Sequence, residues 1–151
     1  WSGSPVHHRG AHFSLDTGRF LPTPVQQPRI PIWVATSWPN PRPLARALRW
    51  DGAVAALAEP GDFNTPIAVI EEIAAAAQTR RGSGGFDIVL ANGNPDWDLA
   101  RDAAEVAAYE AAGLTWWLED IDPWRFGGGP DPPWRLDAMR ERIAAGPPHR
   151  D

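Results

Sequence analysis

At 151 residues and 43% hydrophobic content, the chain has the length of one domain and enough apolar mass for a core, which excludes the disordered class. Its 14 basic residues, all arginine, against 19 acidic ones leave a net charge of -5 with no basic cluster longer than Arg80-Arg81, which argues against nucleic acid as a partner. No cysteine is present, so disulfides, thiolate metal sites and a cysteine nucleophile are excluded.

No apolar run approaches the length of a membrane span and no segment resembles a signal peptide, so the expected location is the cytoplasm, with no membrane partner. The chain opens on Trp1 rather than methionine, and it is expected to be a piece of something longer. Nine tryptophans are spread along it, and several must be core.

In chain order, residues 1–28 read as an extended insertion. Residues 12–15 and 20–21 flank the turn formers Asp16, Thr17 and Gly18, which predicts a loose hairpin. Pro22, Pro24 and Pro28 then rule out a helix. Residues 30–34 form a short continuous apolar run, the pattern of a buried parallel strand. It ends in the small and hydroxylated residues Ala35, Thr36 and Ser37, followed by Trp38, Pro39 and Asn40. In parallel sheets ligands bind beyond the carboxyl ends of the strands, which makes Thr36 and Ser37 the first candidates for contacting one.

A helix is predicted over 43–50, with Leu44, Ala47 and Leu48 on one face. A second strand follows at 53–57, then a polar loop at 59–62. A helix is expected to start at Pro66 with Thr65 as its cap, and Ile67, Ile70, Ile73 and Ala74 form its buried stripe. The third strand is predicted at 86–91, with a loop at 92–96. A helix at 99–112 carries Ala103, Val106, Ala107 and Glu110 at helical spacing and stops at Gly113. The fourth strand is predicted at 114–118. A long loop, in which Gly127, Gly128 and Gly129 read as flexibility, leads to a last helix at 135–145, closed by Gly146 and Pro147, and 147–151 read as a disordered tail.

Four strands alternating with four helices imply an α/β fold with a parallel sheet over 29–146. Right-handed crossovers place all the helices on one side if the sheet curls as in a barrel. An open doubly wound sheet is the competing architecture, and the G-x-G-x-x-G that usually marks it is absent.

The run from Gly10 to Val54, with Pro-Val-Gln-x-Pro-Arg-x-Pro-Ile-Trp-Val, Trp-Pro-Asn and Arg-Trp-Asp-Gly, together with "AAGLTWWLED" at 111–120, resembles the carboxyl-terminal half of the luciferase-like monooxygenases. That family uses FMN or the deazaflavin coenzyme F420. The resemblance implies four consecutive β/α units of an eight-stranded TIM barrel, the fifth to the eighth, with residues 13–21 in the insertion before the fifth. It further implies an oxidoreductase acting on a small molecule, with Ala35, Thr36, Ser37 and Trp38 against the phosphate-bearing side chain of the cofactor. The family's usual Gly-Gly pair is Ala35-Thr36 here, and a β-carbon at each position restricts close approach.

A complete barrel needs about 250 residues. A half-barrel leaves an apolar sheet face and two strand edges in water, so either the missing half or a second copy is expected as a partner. A non-catalytic half-barrel that self-associates as an assembly or binding module is the alternative function. No nucleophile with an adjacent base can be named, and none is demanded where a reduced flavin carries the chemistry.

Other candidates follow from position. Glu119 and Asp120 end the fourth strand, where a carboxylate faces a barrel's active site or else caps a helix or pairs with Arg125. Trp116 and Trp117 point to opposite faces, one toward the helices and one toward the barrel interior. Trp116 and Glu119 are thus the substrate-pocket candidates. His7, His8 and His12 lack a further converging ligand and read as surface, so no metal is expected. Arg42, Arg46 and Arg49 form a basic helix face best read as solvated.

Overall fold

The computed structural model describes residues 1–57, 65–82, 84–92, 99–124 and 126–147. The predicted loops at 59–62 and beyond Asn92, the proposed partner Arg125 and most of the predicted tail lie outside them. The chain falls into two compact units, Trp1–Pro31 and Ile32–Asp151.

The first unit contains the antiparallel pair β1 (Val6–Arg9) and β2 (Ser14–Thr17). The turn lies earlier than expected. Gly10 N–H donates to the Phe13 carbonyl and closes a loop over 10–13, while Asp16 and Thr17 sit within β2. The alternation in 14–17 is a strand signal that the turn propensity of Asp16 conceals, and Asp16 instead faces His7 across the pair.

The second unit is built on a parallel sheet of four strands in the order β3 (Trp33–Ala35), β4 (Gly52–Ala55), β5 (Asp87–Asn92) and β6 (Trp116–Glu119). The helices α1 (Pro41–Ala47), α2 (Ile67–Arg81) and α3 (Leu99–Ala111) are the crossovers, and α4 (Leu136–Ala145) follows β6. Spatial order equals chain order, so each strand is laid beside its predecessor and no strand order reverses. Among the described residues, no helix is long and apolar enough to cross a membrane.

Strand parity sorts the side chains. Val34, Ala53, Ala55, Ile88, Leu90 and Trp117 point to one face and join Ala47, Val69, Ile70, Ile73 and Tyr109 of the helices in a single core. The opposite face carries Trp33, Ala35, Val54, Val89, Trp116 and Leu118, set in register by the ladder row Ala35, Val54, Val89, Trp116. This is the α/β layer arrangement expected from the alternation, with α1, α2 and α3 on one side of the sheet.

Trp33 and Trp116 lie on the two edge strands of the sheet, three ladder steps apart, which is roughly 14 Å in a planar sheet. Their ring centroids are 5.5 Å apart, because both indoles reach inward over β4 and β5 and meet across this face. Val89 beneath is sealed from water, although α1, α2 and α3 pack on the other face.

Several local expectations are corrected. The first helix starts at Pro41, because Asn40 accepts the Arg42 N–H and acts as its cap. At α2 the cap position is Pro66 itself, extended and without a side-chain cap bond, whereas Thr65 uses its carbonyl to accept the Tyr109 hydroxyl at 2.6 Å. On α3 the inward residue is Tyr109, 4% exposed, and Glu110 faces outward. The glycine run forms a defined turn: Gly127 adopts φ +74°, and Gly128 N–H donates to the Pro123 carbonyl at 2.7 Å.

Burial, reinforced by Glu105, raises the Tyr109 hydroxyl above the usual tyrosine pKa. The folded state therefore favours the neutral phenol. This contribution is fully present below pH about 10 and is lost as pH rises through the higher folded-state value. Tyr109→Phe is expected to flatten that alkaline loss in denaturant titrations. At neutral pH it should cost about 1 to 2 kcal/mol, because the Thr65 carbonyl is left without its donor.

Candidate functional site

The carboxyl ends of the strands are where the fold can present a ligand site. The segment after β3 continues the ladder with β4. Thr36 N–H donates to the Val54 carbonyl at 2.9 Å, Trp38 N–H donates to the Ala56 carbonyl at 2.9 Å, and Trp38 pairs with Leu57 in an isolated parallel bridge.

The Thr36 hydroxyl is committed to that ladder. It donates to the Val54 carbonyl at 3.1 Å and accepts the Ala56 N–H at 3.2 Å, and the residue is 7% exposed. Thr115 does the same at the start of β6, bridging the N–H and carbonyl of Ile88. A β-hydroxyl in an extended residue fits between successive groups of the neighbouring strand. This explains the threonine at position 36 as a sheet-completing residue.

Trp38 turns to the helix side. It packs on the core, and its indole N–H donates to Glu72 of α2 at 2.7 Å. Ser37 falls between the two and, by alternation, on the same face as Ala35. Its carbonyl accepts the Asn40 N–H at 2.8 Å. Its hydroxyl and N–H have no protein partner among the described residues. Of the four rim candidates, Ala35 and Ser37 thus share the open face, and Ser37 has donors to offer. Arg42 and Arg46 are exposed on the helix that follows, and Arg42 is the nearest cation in sequence.

The two pocket candidates separate. Trp116 is on the open face, half-exposed, but it opens β6 and meets Trp33 in the layer at the amino ends of the strands. Glu119 shares the parity of Trp117 and points to the helix side, where its carboxylate forms an ion pair with the guanidinium of Arg142 of α4. Arg142 is 3% exposed and also donates to the Gly146 carbonyl. This pair joins β6 to α4. Among the described residues, no group of three or more acidic or histidine side chains is arranged to hold a metal. The surface furrow along α4, bordered by Trp134, Leu136, Arg140 and Glu141, involves none of residues 35–38.

Three residues of this architecture lie outside the candidates named from sequence. Asp87 accepts the Trp33 indole N–H at 2.9 Å, and Gly52 lies between them in the ladder row Trp33, Gly52, Asp87. An aspartate opening an apolar strand, in the same ladder row as the first residues of β4 and β3, is the signal for this cluster. Arg142 is the third. It sits four residues after Ala138 on the inward side of its helix, and its carboxylate lies two positions beyond the core residue Trp117.

No protein-family model, no curated protein and no solved structure matches the chain.

Proposed function

We propose that the chain is the carboxyl-terminal portion of a luciferase-like, flavin-dependent monooxygenase or oxidoreductase, its four β/α units being consecutive staves of a TIM barrel. FMN or coenzyme F420 is the cofactor and a small molecule the substrate. The observation that carries the reading is the parallel sheet in unbroken chain order, with α1, α2 and α3 packed on one side of it. The Trp33 and Trp116 layer corresponds to the packed interior that closes the amino end of a barrel, leaving the rim after β3 for ligand.

The donor set suits one anionic group. The Ser37 hydroxyl and N–H are free to donate, and Arg42 is the cation for the phosphate-bearing side chain. When bound, the flavin supplies hydride transfer or oxygen activation, and the protein supplies orientation and exclusion of water. Ala35, with its small side chain beside Ser37, leaves space over the open face.

Flavin titration followed by tryptophan fluorescence tests this. Quenching by FMN or F420 is expected, with affinity reduced roughly five- to tenfold by Ser37→Ala, which removes one donor to a charged group. Absence of quenching by either flavin, in the chain alone and in any assembled form, overturns the reading.

The engagement of the Thr36 hydroxyl in the sheet favours a second reading, a self-associating half-barrel without catalysis. An associated protein lacking flavin absorbance near about 450 nm after incubation with both cofactors would establish it.

A further inference from the structure

We infer that a second copy of this chain covers the open face, pairing the β6 edge of each protomer with the β3 edge of its partner to close a two-fold eight-stranded barrel. The inference rests on the half-barrel part of the functional reading and is independent of the cofactor.

β3 and β6 are the outer strands of the sheet, and among the described residues each has one side without a strand partner. A two-fold axis parallel to the strands keeps all of them parallel and satisfies both edges of both copies at once. An axis across the strands would pair β6 with β6 in antiparallel fashion and leave the open face in water. Only closure buries Trp116, 49% exposed, and Leu118, 40% exposed, against their counterparts. The same geometry sets α4 of one copy beside α1 of the other, because each helix in such a barrel lies over the seam following its strand.

Those two helices are complementary. α1 holds Arg42 and Arg46, with Arg49 just beyond it, one turn to two turns apart; all three are exposed, and the helix contains no acid. α4 presents Asp137 and Glu141, four residues apart and exposed. Arg140, the one exposed cation on α4, is tied to Asp137 at 3.2 Å, which leaves Glu141 as the acid for a partner's cation. Beside the acids, Leu136 and Ile143 stand two turns apart on α4 at 46% and 64% exposure, a hydrophobic stripe that the single chain leaves in water. Basic helix edge and acidic helix edge therefore meet only between copies.

Sedimentation of the full chain over a concentration series tests the assignment. The expected species has twice the 16.5 kDa chain mass. Ile143→Glu, at a position mostly in water already, should weaken the dimer by more than about tenfold while far-ultraviolet circular dichroism stays unchanged. Glu141→Arg and Arg46→Glu should each weaken it roughly three- to fivefold, and the two together should restore it. A single-chain mass at every concentration overturns the inference, even if flavin still quenches the tryptophans. So does a dimer indifferent to Ile143→Glu and to both charge reversals. A dimer with the expected sensitivities that takes up no flavin upholds this interface and counts against the cofactor assignment alone.

Discussion

Replacing Glu119 with alanine is expected to destabilise the Ile32–Asp151 unit by about 3 to 5 kcal/mol, seen as a fall of roughly 10 °C in melting temperature. The reason is the asymmetry of a buried ion pair. Arg142 is 3% exposed, and its guanidinium is satisfied by the Glu119 carboxylate and the Gly146 carbonyl. Without Glu119 a permanent charge stays in a site that water barely reaches, because arginine cannot shed its proton. Arg142→Met should cost less, since the carboxylate left behind is 17% exposed on its side chain and can be hydrated. The double variant Glu119→Leu with Arg142→Met is expected to recover most of the loss, as replacing both partners by apolar groups removes the desolvation cost as well as the attraction. A double variant no more stable than Glu119→Ala would show that the pair acts by orienting α4 rather than by neutralising a buried charge.

That pair also marks where the sequence was legible and where it was not. Each strand and helix of the parallel unit announces itself: apolar runs such as 86–91, punctuated by Gly82, Gly113 and Gly146 at positive φ, give element type and order because those signals are local. Boundaries moved by one to three residues where a specific bond decided them, as when Asn40 captured the Arg42 N–H. The hairpin was misplaced because turn chemistry in Asp16 and Thr17 competes with strand pairing, and pairing with Val6 and His7 prevailed. Site residues were harder to read. A hydroxyl after a strand looks alike whether it awaits a ligand or bonds to the neighbouring strand, and only the register, which brings Val54 and Ala56 to Thr36, tells them apart. Likewise the role of Glu119 depends on strand parity: one residue of slip in β6 would turn it to the open face.

Gly52→Ala is expected to cost about 3 kcal/mol and to loosen the open face, read as increased exposure of Trp33 and Trp116 to an aqueous fluorescence quencher. A β-carbon at this position would lie 2.6 Å from the Asp87 carbonyl oxygen, 2.7 Å from Cδ1 of Trp33 and 2.8 Å from the Asp87 β-carbon. The first of these is backbone of the adjacent strand and cannot swing away, so the clash must be relieved by parting β4 from β5 or by moving Trp33. Either route breaks the path by which the Trp33 indole crosses β4 to donate to Asp87 and reach Trp116. The glycine is there because an aromatic side chain occupies the space above it, a requirement of close approach rather than of backbone angle. Trp33→Ala, alone and combined with Gly52→Ala, separates the two sources of strain. Alanine removes Cδ1, which phenylalanine would keep, so a smaller cost of Gly52→Ala in that background assigns the strain to the aromatic crossing, whereas an unchanged cost assigns it to the Asp87 backbone. Recovery is expected to be partial, because two of the three close contacts belong to Asp87 and remain when the indole is gone.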